Sequence, residues 1–154
     1  MTDSHEKLLR PAVDLLTQSQ SATLSTHSQK HAGYPYASTV KYALAPLNQP
    51  ILLLSDLATH TRNIRLNSKC SLFVQKEFNL DSSRLTLLGE LERVETDKSQ
   101  PLRQTYLQQI AESAPWIEFA DFSIYKFNLV EAYLVGGFGM MGWVTPDQFN
   151  TFSG

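Results

Sequence analysis

The sequence contains a single cysteine, Cys70, in 154 residues, which excludes an internal disulfide and a cysteine-rich zinc site. Cys70 lies within an apolar strand pattern, so we expect a buried structural thiol rather than a nucleophile. No segment approaches the ~18 apolar residues of a membrane span, and the chain begins without an apolar signal core. Its 13 basic and 15 acidic residues give no broad basic surface for nucleic acid. A soluble cytoplasmic domain with neither a membrane nor a nucleic-acid partner is therefore expected.

What the chain does contain is a series of at least six short strand patterns, with only three helical segments and mostly short turns. This balance favours a mainly β (α+β) fold, a closed or partly closed antiparallel barrel, over a parallel α/β sheet. We predict one domain over residues 1–154, with an N-terminal helix at about 4–19, a barrel at about 21–144 and a short tail at 145–154. Pro11 is expected either to bend the first helix or to mark its start.

Three strand predictions can be tested directly. The alternation over residues 36–44 predicts one strand. Residues 84–95 form the longest predicted strand, in which Gly89 indicates a β-bulge or a close backbone approach. Residues 122–129 and 131–135 are predicted to form a final antiparallel pair. Helices are expected near 57–67 and 101–112.

The glycine-rich segment 136–142 follows the last predicted strand. No helical pattern follows it, so we interpret it as a bend rather than as a phosphate-binding loop. Its large apolar residues suit dimer contacts or the wall of a flat apolar ligand, with core packing as the alternative. They are Phe138, Met140, Met141 and Trp143.

The junction at 54–63 is the most informative segment, because a buried strand at 51–54 ends there and a helix follows. Ser55 and Asp56 are residue types that cap helices. The start of a helix has free N–H groups and a positive end, which favour an anion such as a phosphate or a propionate. The junction adds hydroxyl, imidazole and guanidinium groups, from Ser55, Thr59, His60, Thr61 and Arg62. An ordinary capped helix with solvated polar residues is the alternative.

Several stretches occur in a recognisable order and spacing. They are Ala-Thr-Leu-Ser-Thr at 22–26, Gly-Tyr-Pro-Tyr-Ala-Ser at 33–38, the segment 55–66, Asp-Phe-Ser-Ile-Tyr-Lys-Phe at 121–127 and Tyr-Leu-Val-Gly-Gly-Phe-Gly at 133–139. In these features the chain resembles the pyridoxamine-phosphate-oxidase-like FMN-binding split barrels, and within them the heme-utilisation (HugZ-type) branch. The resemblance extends over about residues 12–144.

The resemblance implies a homodimer of split barrels with two equivalent ligand sites along the subunit interface. Members of the heme-utilisation branch bind heme there, and some degrade it; flavin-using relatives bind FMN there instead. Heme or FMN is thus the implied cofactor. Carried over by position, the implied cofactor-binding residues are Ser38, Thr39, Val40, Lys41, Ser55, Thr59, His60, Thr61 and Arg62.

The chain departs from the oxidase pattern at two places. Oxidase-type members have an arginine where this chain has Ser38, and an Arg-Lys pair where it has His60-Thr61. Charge-assisted hydrogen bonds to phosphate are roughly twice as strong as neutral ones. These departures predict weak or absent FMN binding, argue against the oxidase activity itself, and fit the heme-utilisation branch.

The iron ligand is left open by the sequence. Heme-degrading relatives take it from a C-terminal histidine, whereas residues 147–154 contain none. The candidates are then His5, His27, His31 and His60, or no histidine at all. Oxidative heme breakdown is one functional hypothesis. The alternatives are a non-catalytic heme carrier or storage protein, and a flavin-dependent oxidoreductase that holds FMN through Arg62, Lys41 and the helix start.

Overall fold

The computed structural model of the protein describes residues 2–137 and 139–152, with side chains from residue 6 onward. Its described part contains one eight-stranded sheet, in which all pairs are antiparallel. The strands are β1 Ser21–His27, β2 Pro35–Lys41, β3 Ala43–Ala45, β4 Gln49–Ser55, β5 Lys69–Gln75, β6 Arg84–Arg93, β7 Phe122–Val135 and β8 Met141–Val144.

The sheet is curled into a half-barrel. Its strand order is β2-β1-β5-β6-β7-β4-β3, with β8 on β7. Because β2 and β3 are separated only by Tyr42 yet lie at opposite ends of this order, the two ends of the sheet approach each other. The predicted mainly β, antiparallel split barrel is confirmed.

Four α-helices accompany the sheet in the described residues: α1 Thr2–Gln18, α2 Thr59–Leu66, α3 Gln100–Gln109 and α4 Pro146–Thr151. Helix α1 runs through Pro11, so it begins well before that residue. Helix α4 lies in the segment predicted as a tail, and Thr145 and Gln148 form its capping box. None of the described helices combines the length and apolar character that crossing a membrane requires.

The prediction of one strand over residues 36–44 is wrong, because the strand is interrupted at Tyr42. The Tyr42 N–H donates to the Gln20 carbonyl at 3.0 Å, outside either ladder. Its hydroxyl donates to the Leu16 carbonyl at 2.7 Å, and the ring is buried. These contacts hold Tyr42 at the point where the chain passes from β2, at one end of the sheet, to β3, at the other end.

The predicted pair at 122–129 and 131–135 is also wrong, since β7 is a single 14-residue strand. Leu88 pairs with Glu131 and Gly89 pairs with Leu129, which leaves Val130 as an extra residue. The irregularity that looked like a turn is therefore a β-bulge.

Gly89 satisfies both parts of its prediction. It lies at the bulge, and a Cβ built on it would be 2.5 Å from the Asn128 carbonyl oxygen and 2.5 Å from the Phe127 ring. A side chain at this position has no room, so glycine is required by close approach.

The predicted bend after β7 is the turn of a hairpin that returns as β8. The Gly136 N–H donates to the Met140 carbonyl at 2.7 Å. Met141 and Trp143 are 55% and 48% exposed, so the core-packing alternative does not hold for them. Phe138 lies outside the described residues.

Two apolar clusters lie on different sides of the sheet. The larger fills the half-barrel and includes Leu24, Leu72 and Phe127, all almost completely buried. The smaller joins β3, β4 and β7 to α3 and to the loop that follows it, through residues such as Ile51, Tyr106 and Ile110. This second cluster places the end of α3 beside the predicted anion site.

Candidate functional site

Helix α2 begins without a side-chain cap. The prediction that Ser55 or Asp56 caps it is wrong: the helix begins at Thr59, and the N-cap position is Ala58. Asp56 instead forms an ion pair with Arg65 at 2.7 Å. The first turn contains no acidic residue either.

The missing cap leaves backbone donors free at the start of α2. The first hydrogen bond of the helix runs from the Arg62 N–H to the Ala58 carbonyl at 3.2 Å. The N–H groups of Thr59, His60 and Thr61 precede it, and no acceptor for them occurs among the described residues. Three such donors at the positive end of a helix favour an anion.

A cleft of about 360 Å³ opens beside this helix start, and we call it the α2 cleft. It brings together five of the predicted residues with Ala58. They are Thr39, Val40, Lys41, Ser55 and His60. The opposite wall comes from α3, the loop after it and the start of β7. Its residues are Tyr106, Ile110, Glu112, Ser113, Trp116 and Phe122.

The other four predicted residues do not line the α2 cleft. Thr59 and Arg62 are exposed outside it. Thr61 is fully buried, and its hydroxyl has no partner in the part of the chain described. Ser38 lies behind His60 and contacts its ring. The lysine of β2, rather than Arg62, therefore provides the cation of the cleft.

His60 connects α2 to strand β2. Its Nδ1 lies 3.0 Å from the Ser38 hydroxyl oxygen. Burial lowers the pKa of His60 below its usual range, so the imidazole is neutral near pH 7. The side chain thus offers hydrogen bonding but no charge to a ligand at neutral pH.

Lys41 and Glu112 form an ion pair across the mouth of the α2 cleft. Their side chains are 48% and 51% exposed. The hydrogen bond from Lys41 lowers the pKa of Glu112. The lysine charge is therefore balanced by a carboxylate on the opposite wall.

The Ser55 hydroxyl is already engaged. It donates to a carboxylate oxygen of Asp121 at 2.9 Å and accepts the Leu57 N–H at 3.2 Å. Asp121 begins the stretch 121–127, one of those that carry the resemblance. Here it anchors the end of β4, and the Asp56 N–H also donates to its carbonyl at 2.7 Å.

The wall formed by α3 and its loop was not predicted from the sequence. A buried arginine, Arg103, holds that loop: its guanidinium donates to the carbonyls of Ile117 and, at 3.4 Å, Phe122. The available signal was the pair of large aromatics in the loop, Trp116 and Phe119, which are 37% and 55% exposed. Local sequence does not indicate which strand end such a loop covers.

The histidines do not form a metal site in the described residues, where no group of three His, Cys, Asp or Glu side chains could hold an ion. His27 and His31 are exposed outside the α2 cleft. The side chain of His5 lies outside the described part. Cys70 is half-buried rather than buried, but burial still raises the pKa of its thiol to about 12, which fits the prediction that it is not a nucleophile.

Comparisons with known proteins identify relatives in sequence and in fold. The non-canonical heme oxygenase HOZ, chloroplastic, of Arabidopsis thaliana is 37% identical over 106 residues, which are 68% of this chain and 33% of that protein. The chain thus spans about a third of this curated relative. A heme binding protein from Mycobacterium smegmatis is 29% identical with a TM-score of 0.83, over 93% of this chain and 60% of that one.

A third comparison concerns the fold alone. A general stress protein 26-related protein of the pyridoxinephosphate oxidase family, from Clostridium acetobutylicum, is 16% identical with a TM-score of 0.73, over 94% of this chain and 98% of that one. The predicted resemblance to heme-utilisation and oxidase-like split barrels is confirmed. The model of the family described as CREG, beta-barrel matches residues 4–151. The chain therefore belongs to the CREG β-barrel family.

Proposed function

We propose that the protein binds heme in the α2 cleft, with the heme propionates at the start of α2. The observation that carries this proposal is the uncapped helix start: Ala58 and His60 line the cleft, and the N–H groups of residues 59–61 have no acceptor among the described residues. A carboxylate supplies the acceptors that these donors lack.

The two walls of the α2 cleft suit the two parts of such a ligand. Lys41 and the helix start provide charge and donors for an acidic group. Tyr106, Ile110 and Trp116 provide an apolar wall against which a flat ring can lie. The residues present therefore fit an anionic planar cofactor.

The cleft offers fewer groups to the iron of heme than to its propionates. His60 is the histidine of the cleft lining, and its Nδ1 already contacts Ser38, which leaves Nε2. When bound, heme would supply iron-centred redox chemistry. This chain's residues would hold the propionates, cover one ring face and limit water access.

Two relatives support heme over other anions. The Arabidopsis thaliana relative is named a heme oxygenase, and the Mycobacterium smegmatis neighbour is described as a heme binding protein. The alignment with the first covers 68% of this chain, and the alignment with the second covers 93%. Cytoplasmic location stays a prediction, since the curated relative is named as chloroplastic.

We further propose that two copies form the complete site as a homodimer. The side of β6, β7 and β8 that faces away from the larger apolar cluster presents Leu88, Val130, Met141 and Trp143, which are 38–60% exposed. Exposed apolar groups on one sheet face are typical of a protein–protein contact.

FMN is the second candidate, because its phosphate suits the same donors at the start of α2. Hemin titration followed by the Soret band, and FMN titration followed by flavin fluorescence, separate the two. We expect saturation at about one heme per subunit and weaker FMN binding. Tighter binding of FMN than of heme would favour the flavin-dependent oxidoreductase.

A substitution at the N-cap tests the placement. Ala58→Asp gives α2 its own carboxylate cap, which stabilises a helix by about 0.5–2 kcal/mol. We expect a higher melting temperature together with at least about tenfold weaker heme binding, because the new carboxylate takes the free N–H groups and repels the propionates. Ala58→Asn is the neutral control. Unchanged heme affinity in Ala58→Asp would refute the site.

Turnover distinguishes an enzyme from a carrier. Incubation of the heme complex with ascorbate and oxygen should bleach the Soret band and release iron if the protein degrades heme. A stable spectrum under these conditions would indicate a heme carrier or storage protein.

A further inference from the structure

A second cleft, of about 280 Å³, lies at the opposite end of β4 from the α2 cleft and shares no lining residue with it. We call it the amide cleft. It is formed by the end of α1, the turn between β3 and β4, the middle of β7 and helix α4. With Leu87 of β6, five segments that are distant in the sequence therefore converge on it.

The floor of the amide cleft is apolar. Leu87 and Phe127 are 1% exposed and Phe149 is 3% exposed, and Leu16 and Leu129 complete the surface. Prolines 46, 50 and 146 lie around it. Because proline fixes its own φ angle, the backbone is restricted at these three positions of the rim.

The polar groups of the cleft are all carboxamides. Gln49 donates to the Phe127 carbonyl at 3.3 Å and to the Asn128 side-chain oxygen at 3.1 Å, and Asn128 in turn donates to Glu92 at 3.0 Å. The side chains of Asn48 and Asn150 have no hydrogen-bond partner within the described residues. Two fixed amides and two free ones thus surround an apolar floor.

The lining contains no ionisable side chain. An ionised ligand would lose hydration there without gaining a counter-charge, which is costly. A free carboxamide, in contrast, offers both a donor and an acceptor. The cleft therefore disfavours a charged ligand and favours a ligand edge that has both a hydrogen-bond donor and an acceptor.

The turn that forms one rim is strained. Leu47 and Asn48 have φ values of 65° and 56°, in the left-handed region, in the pattern of a type I′ hairpin turn. That turn prefers Asn-Gly, and leucine is a poor residue for it. The Leu47 side chain is 64% exposed, so burial does not compensate. Strained residues of this kind cluster at ligand-binding sites.

We propose that the amide cleft binds a small neutral molecule that has one apolar ring and an amide-like edge. Its volume is slightly below the roughly 300 Å³ lower bound of drug-sized pockets, which limits the ligand to about one ring. The ring occupies the Phe127 and Leu87 floor. Asn48 and Asn150 hydrogen bond to the edge.

Nicotinamide, nicotinate and pyridine are suitable probes, because they share a ring and differ in having an amide, a carboxylate or neither. Titrations of the full chain are followed by backbone amide chemical shifts. We expect nicotinamide to shift the amide resonances of residues 47–49 and 147–150, the non-proline residues of the rim, but not those of 58–62. Nicotinate should bind at least about tenfold more weakly.

Two variants test the amides. Asn150→Leu should weaken nicotinamide binding at least about fivefold while leaving pyridine binding unchanged. Gln104→Leu, on the exposed surface of α3, is the matched control. If Asn150→Leu does not fold, Asn48→Gly removes the other amide and keeps the left-handed turn. Three results would overturn the proposal and leave a solvent pocket only. They are equal affinities for nicotinamide and nicotinate, chemical-shift changes spread over the whole chain, and unchanged nicotinamide affinity in Asn150→Leu.

Discussion

Asn63 connects α2 to the hairpin of β1 and β2. It is 1% exposed, its side-chain oxygen accepts the Gln29 N–H at 2.9 Å, and its amide donates to the Thr26 hydroxyl at 2.9 Å. We expect Asn63→Leu to lower the free energy of unfolding by about 2–3 kcal/mol, because both partners lose a hydrogen bond. Urea denaturation measures the loss.

The adjacent residue provides the control for Asn63. Arg62 is exposed on the same helix, and Arg62→Ala should change the free energy of unfolding by less than about 0.5 kcal/mol. Similar losses in both variants would show that the Asn63 hydrogen bonds do not hold the helix in position.

His60 should make stability depend on pH. Burial holds its folded-state pKa below the ordinary value near 6.5, so the unfolded chain binds the proton more readily. The free energy of unfolding should therefore fall as the pH drops below about 6.5, until the folded-state pKa is also passed. Urea denaturation at several pH values between about 5 and 7.5 measures this slope, which His60→Gln should reduce. An unchanged slope in the variant would contradict the assignment.

At the scale of elements, the bulge between β6 and β7 depends on Gly89. Gly89→Ala places a Cβ within 2.5 Å of backbone and of a buried ring, neither of which can move freely. We expect it to lower the free energy of unfolding by about 2–3 kcal/mol. Gly142→Ala is the control, since its nearest contact, at 2.8 Å, is the flexible end of Leu8. Equal effects of the two changes would argue against a rigid bulge.

The sequence largely predicted which strands and helices exist, but it did not predict where a strand is interrupted or continues. The alternation over residues 36–44 hides the break at Tyr42, because the contacts that cause it come from Gln20 and Leu16. In the sequence alone, the break in alternation at Val130 suggests a turn between two strands. The pairing of β7 with β6 shows that Val130 is the extra residue of a β-bulge. In contrast, α4 was missed although Thr145, Pro146 and Gln148 carry its local start signal.

The ion pair between β2 and the loop after α3 should oppose ligand binding. An acidic ligand at Lys41 must displace Glu112. Glu112→Gln is therefore expected to tighten heme binding about two- to fivefold, the range of an exposed ion pair. Hemin titration at low ionic strength measures it, and Glu95→Gln, at an exposed glutamate outside the cleft lining, is the control. Weaker binding in Glu112→Gln would contradict the competition.

At the scale of the whole molecule, the apolar outer face should control assembly. Leu88 is 38% exposed on β6, so Leu88→Glu should leave the subunit folded but charge the proposed interface. We expect a dimer to become a monomer in size-exclusion chromatography with light scattering, with loss of heme binding. Leu66→Glu, at a 69% exposed leucine of α2, is the matched control. A wild-type monomer would refute the homodimer.

The candidate site was predictable to the extent that it is local. The strand–helix junction and β2 gave Lys41, Ser55 and His60, which do meet in one cleft. Whether a junction residue faces the cleft or the core depends on the helical turn, and Thr61 faces the core. The wall around Trp116 depends on a loop held by Arg103, a tertiary contact that no short-range pattern encodes.

The position of β4 in the sheet has a consequence for synthesis. Its residues Pro50 to Leu54 are buried, and its ladder partners are β3 and, at residues 122–126, β7. On the ribosome, the strand emerges long before β7 exists, with an unsatisfied edge and an apolar surface. The nascent chain must therefore keep this segment away from other chains until residue 126 has left the exit tunnel.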